Sequence, residues 1–121
     1  MRKSFSSHVQ SEWLSDGRTM RLLQSLTYID NKGLKWFAEE NSLVDGASIP
    51  RFFWRFIGSP FSGRYRRASV IHDVYCTNKS RSSKATHKVF REMMIVDGVA
   101  RHKAWMMWFA VRSLGPRFKK D

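Results

Sequence analysis

The sequence predicts an α+β fold, an N-terminal antiparallel β-meander packed with a C-terminal bundle of three longer helices and one short helix. Three observations carry that expectation. Residues 1–50 are short runs rich in Thr, Tyr, Trp and Leu broken by turn formers, whereas residues 51–116 hold longer stretches with apolar side chains at helical spacing. The charge changes at the same boundary, with six basic and six acidic side chains before it and sixteen basic and four acidic after it, so the formal net charge of +12 belongs to the second part. Finally, 121 residues with 42% hydrophobic content close one modest core. Neither half could bury much surface alone, so the two are expected to share that core as a single domain, residues 1–121, with residues 117–121 as a basic tail.

In the first part, Val9–Leu14 and Arg18–Leu23 flank Ser15-Asp16-Gly17, whose Asp-Gly step suits a tight hairpin with positive φ. Leu22–Ile29 and Leu34–Ala38 flank Asp30-Asn31-Lys32-Gly33, a second connection of hairpin length, which makes a meander of about three strands. Residues 39–51 mix turn formers with one short apolar pair and read as an ordered loop. In the second part, Arg51–Gly58 is a short helical run that Ser48 can cap and that cannot continue past Pro60. Tyr65–Asn78 places Tyr65, Ala68, Ser69, His72, Tyr75 and Cys76 on one helical face, with Arg66, Arg67 and Asp73 turned mostly elsewhere. Ser82 or Ser83 can cap a third helix whose apolar side is Thr86, Val89, Phe90, Met93, Met94 and Val96, up to Gly98. A fourth runs from Val99 to Leu114, where Gly115-Pro116 stops it.

Composition removes several classes. A single cysteine, Cys76, cannot build an intrachain disulfide framework. No run approaches the roughly 18 apolar residues of a membrane span, and residues 1–8 lack the apolar core of a signal peptide, so neither a span nor signal-directed secretion is expected. A sequence pI near 10.6 calls for a negatively charged partner.

The sharpest chemical constellation is His72-Asp73 on one helix and His87 near the start of the next, because antiparallel helices joined by a turn at about residues 79–82 bring such positions within reach. Imidazole and carboxylate together suit a catalytic general base held by an acid partner, or ligands of a divalent metal with water completing the shell. They equally suit a hydrogen-bonded pin in the core. Asp45, Ser48 and Arg51 form a second candidate, on a loop joining sheet to helices, where Asp45 could complete a site with His72 and His87. The same loop also reads as an Asx-turn followed by an N-cap. Basic residues, among them Arg64, Arg66, Arg67, Lys84 and Lys88, would attract phosphate, yet they carry no helix-turn-helix, zinc-finger or stacking signature, so any nucleic-acid binding would be nonspecific. Residues 104–111 are apolar all round, which a surface helix of a small domain does not need, and Trp105, Trp108 and Phe109 are the expected contacts to a protein partner. Cys76 reads as a buried apolar residue rather than a nucleophile.

Several ordered motifs resemble one family. Asp45-Gly-Ala-Ser-Ile-Pro-Arg51, Trp54, Gly58, Tyr65 with Ala68, His72-Asp73 with Tyr75, Phe90, Met93 or Met94, Gly98 and Val111-Arg-x-x-Gly115 together look like the small phage and prophage family known as domain of unknown function 1353, over roughly residues 20–116. The resemblance implies a tailed-phage or prophage origin and an α+β domain, with no settled activity. Where the family carries Ala-Asp ahead of the third-helix phenylalanine, this chain has Thr86-His87, an imidazole in place of a carboxylate. Where the family tends to carry a Pro-x-Gly-Phe step, this chain reads Glu39-Glu40-Asn41-Ser42, and Asn41 is the residue able to take over the glycine's backbone role.

The leading expectation is a virion, tail or assembly component that binds other phage proteins through its apolar C-terminal helix and basic surface, located in the virion or the host cytoplasm. A small phage-encoded hydrolase built on His72, Asp73 and His87 is the alternative, with a divalent metal as the cofactor those residues admit. A nonspecific nucleic-acid accessory protein is the third class.

Overall fold

Two aspartates start the fold, each accepting hydrogen bonds from the backbone it has just turned. The computed structural model describes residues 4–46, 49–57, 63–115 and 117–118. Asp16 Oδ1 accepts from the N–H groups of Arg18 and Thr19 at 3.0 and 2.9 Å, and Gly17 supplies the positive φ of 76° that the turn requires. The Thr19 hydroxyl donates to Asp16 Oδ2 at 2.6 Å; this bond first, and the two N–H groups after it, pull the carboxyl down to about 2. Asp30 builds the next turn, its Oδ1 accepting from Lys32 N and Leu34 N at 2.9 Å each. Its Oδ2 accepts from the buried Trp36 Nε1 at 3.0 Å, so one carboxylate closes a hairpin and anchors the largest fully buried side chain among the described residues.

The chain divides into two compact units, Met1–Asp45 and Gly46–Asp121. Among its described residues the first holds six strands: β1 (Ser4–Phe5), β2 (Ser11–Trp13), β3 (Met20–Leu22), β4 (Leu26–Ile29), β5 (Lys35–Ala38) and β6 (Leu43–Val44). They pair as two antiparallel three-stranded sheets, β1-β4-β5 and β2-β3-β6, where the sequence suggested one meander of about three strands. The run from Arg18 to Ile29 does not stay in one sheet because it bends at Leu23–Ser25, where Leu23 N donates to Gln10 O at 2.8 Å. β3 and β4 therefore join different neighbours. The β6 partner of β3 comes from the stretch expected to be a loop, through Asn41, whose φ of 72° lets its N–H reach Leu22 O at 2.8 Å while Leu22 N returns a bond to Ser42 O at 3.0 Å. Asn41 thus holds the left-handed position assigned to it from the missing glycine. Side chains alternate as a pleated strand requires, with Trp36 and Ala38 of β5 buried and Lys35 and Phe37 exposed.

The second unit opens with a 3-10 turn, Arg51–Phe53, that runs into the single helical turn α1 (Trp54–Ile57). A further 3-10 turn, Gly63–Tyr65, leads into α2 (Arg66–Asn78), followed by α3 (Ser83–Val96) and α4 (Arg101–Leu114). The protein is α+β. α3 packs against both α2 and α4. Every residue of α2 from Ala68 to Cys76 is buried, because Val70, Ile71 and Val74 fill the sides that the predicted stripe leaves open. Asp73 is correspondingly buried, against the expectation that it turns away. Lys79, at φ 55°, ends α2 with its N–H on Tyr75 O at 2.9 Å. Ser82 is the cap of α3, its Oγ accepting from Ala85 N at 3.1 Å. Gly98, at φ 91°, ends α3 and lets Val99 N reach Met94 O at 3.0 Å. Arg67 at the start of α2 pairs with Asp97 just past the end of α3. Phe118 O accepts from Ser83 N at 3.0 Å, so part of the predicted basic tail is tied to the first turn of α3. Among the described residues no helix is long and apolar enough to cross a membrane.

Candidate functional site

His72 and Cys76 stand four residues apart on α2 and therefore on one face of it. The short turn after Lys79 reverses the chain and sets His87, in the second turn of α3, opposite them. His72 Nε2 lies 2.9 Å from His87 Nδ1, a hydrogen bond that needs one proton between two imidazoles. Cys76 Sγ lies 3.6 Å from His72 Nε2 and 3.9 Å from its Nδ1, so the thiol sits beside the ring rather than in line with one nitrogen. Phe90 of α3 stacks on His72 with ring centroids 4.3 Å apart, and Phe118 meets His87 edge-on at 6.4 Å.

All three polar groups are out of water, His72 at 0%, His87 at 2% and Cys76 at 8% exposure. Burial, and secondarily the neighbouring His87, holds the His72 imidazole well below its ordinary pKa, so it is neutral in the fold at neutral pH. One donor atom from each of the three residues falls within 4.8 Å of the others, a donor set of two imidazoles and a thiol that suits a soft metal ion.

The structure therefore brings His72 and His87 together, and the third group converging with them is Cys76 rather than Asp73. Asp73 is buried one residue along, on a different side of the helix. The sequence already placed Cys76 on the His72 face, four residues on; what it did not show was that the thiol would approach the His72 ring with His87 opposite.

The other predicted residues are placed as follows. Asp45 ends the first unit, just after β6. Ser48 lies outside the described residues, as do Gly58, Pro60, Lys119 and Lys120. Arg51 is exposed and its guanidinium stacks over the Trp54 ring at 4.7 Å. Of the basic set, Arg66, Lys84 and Lys88 are exposed, Arg67 is engaged by Asp97, and Arg64 donates to Gly98 O at 3.0 Å.

α4 buries only Ala104, Met107, Ala110 and Val111. It leaves Trp105 48%, Met106 40%, Phe109 65% and Leu114 63% exposed, with Trp108 half-buried between them. Trp105 and Trp108 meet edge to face at 5.5 Å, and Arg91 of α3 lies over both, 3.9 and 4.9 Å from their centroids. Arg112 covers Trp108 at 5.3 Å. The result is an aromatic surface held in place by two guanidinium groups.

The family described as "Protein of unknown function (DUF1353)" matches residues 20–111. "Uncharacterized protein y4jT" of Sinorhizobium fredii is 44% identical over 93% of this chain and 34% of its own length. "Uncharacterized protein y4iH" of the same organism is 42% identical over 75% of this chain and 38% of its own length. The chain thus spans little more than a third of these relatives. No solved structure matches it.

Proposed function

The chain belongs to the DUF1353 family, and from that footing we propose that it is a binding protein whose α4 face docks on an acidic, apolar-grooved surface of another protein, as an assembly component of a phage or prophage particle would. The observation that carries the reading is the exposure of Trp105, Met106, Phe109 and Leu114 on one helix. Large apolar side chains grouped at a surface mark contact sites, and tryptophan and arginine dominate the energetics of such sites. Arg91 and Arg112 orient the two tryptophans before any partner arrives, which lowers the ordering cost of binding. The formal charge of +12 selects an acidic partner and speeds the encounter. The assembly role comes from the family resemblance.

A hydrolytic centre has to meet its substrate, and full burial of His72 and His87 supports binding over hydrolysis. The experiment is a photo-crosslinking side chain in place of Phe109. It is expected to capture one distinct acidic protein, with capture lost in Trp105→Ala and reduced, but not abolished, on raising salt to about 0.5 M. Capture of nucleic acid, or none at all, overturns the reading.

A further inference from the structure

Beyond the binding reading, and independently of it, we propose that His72, Cys76 and His87 form a buried site for one closed-shell thiophilic metal ion, Cu(I) or Zn(II). The argument starts from donor chemistry. Two neutral imidazoles and a thiolate are the ligands such ions prefer, and α2 and α3 deliver all three to one spot from a rigid helix pair. Two of the three separations are close to what an ion would demand, and the third, from the Cys76 sulfur to His87, lies within 4.8 Å and would have to close on binding. Bonds of roughly 2.0–2.1 Å to nitrogen and 2.3 Å to sulfur put ligand nitrogens about 3.3–3.5 Å apart and a sulfur about 3.6 Å from a nitrogen. The structure has 2.9 Å between Nε2 and Nδ1 and 3.6 Å between Sγ and Nε2. Entry of the ion breaks the imidazole–imidazole hydrogen bond and opens that pair by about half an ångström. It also turns the rings so that both lone pairs face the ion.

The proton count is simple. Each imidazole keeps one proton, moved to the nitrogen away from the ion, and the Cys76 thiol gives up its own, so binding releases one proton per chain. Charge favours Cu(I), because one thiolate neutralises it and three ligands satisfy it, whereas Zn(II) keeps a net positive charge in a buried place and takes a fourth ligand. One hydroxyl on the same face of α2 is a candidate for that fourth position. Ser69 Oγ, three residues before His72, is buried with no hydrogen-bond partner. Unsatisfied buried hydroxyls are places where a bound water or ion-linked group belongs.

The test uses the full chain, reduced and freed of metal under anaerobic conditions, titrated separately with Cu(I) and with Zn(II) against competing chromophoric chelators. The expected result is one ion and close to one released proton per chain, with affinity at least 100-fold weaker in Cys76→Ser. X-ray absorption on the loaded wild type is expected to show one sulfur and two imidazole nitrogens, with a fourth light atom if the ion is Zn(II) and none if it is Cu(I). Either ion in that shell supports the site and names its occupant. Should Cys76→Ser fail to fold, the absorption spectrum still decides, since a thiol binding alone would show no imidazole scattering. No retained ion, a shell without sulfur, or equal binding by wild type and Cys76→Ser overturns the proposal.

Discussion

His72 is an ionisable group that the fold holds in one protonation state. With its pKa pulled well below the ordinary 6.5 by burial and then by His87, it stays neutral in the native protein at pH values where the unfolded chain protonates it. The unfolded state therefore binds more protons below pH 6.5, and native stability is complete above that value and falls as the pH drops towards the folded pKa. The metal-free protein is expected to lose up to about 1.4 kcal/mol per pH unit in that window. Urea denaturation at pH 7.5, 6.0 and 5.0 checks it, and His72→Gln, which cannot titrate, should flatten the dependence. A stability equal at all three values would mean that His72 takes up a proton in the fold as readily as in the unfolded chain. Cys76 illustrates what could not be read at this scale from sequence. Its place on the His72 face was legible, but only the observed approach of its sulfur to His72, with a His87 nitrogen within 4.8 Å, makes it a candidate donor rather than a filler of the core.

At the scale of elements, local chemistry and non-local pairing part company. The three longer helices were legible because each writes its period and its ends into neighbouring residues: Ser82 before α3, Gly98 after it, Gly115 after α4. The expected short helix Arg51–Gly58 is instead a 3-10 turn and one helical turn over Arg51–Ile57. Asp16-Gly17 and Asp30 to Gly33 were legible as turns for the same reason. The division into two sheets was not. β1 and β6 are two residues long, too short to show alternation, and their partners lie far off in the chain at Tyr28–Ile29 and Met20–Arg21. Of the site, the approach of His72 and His87 followed from helix phase and a short turn, whereas full burial of α2 depended on helix packing that periodicity does not report. The Ser82 cap has a definite value. Ser82→Ala removes the acceptor for Ala85 N and should cost about 1 kcal/mol in chemical denaturation, with Ser82→Gly costing less. Equal stability of Ser82→Ala and wild type would show that solvent satisfies that amide as well as the hydroxyl does.

The molecule as a whole presents two contrasting features, a titratable cluster shut away from water and an apolar face left open to it. The first suits holding something firmly, the second suits meeting something. The second unit carries both, together with the surplus of positive charge. The match to this chain takes in 34% and 38% of the two relatives' own lengths. The Phe118 carbonyl on Ser83 N, with the Phe118 ring against His87, has a practical outcome. Truncation after Gly115 removes that clasp and shortens the time that Cys76 survives a thiol-alkylating reagent in the native protein. The rate of alkylation then becomes a clock for breathing of the seam between α2 and α3, which an ion bound there would stop.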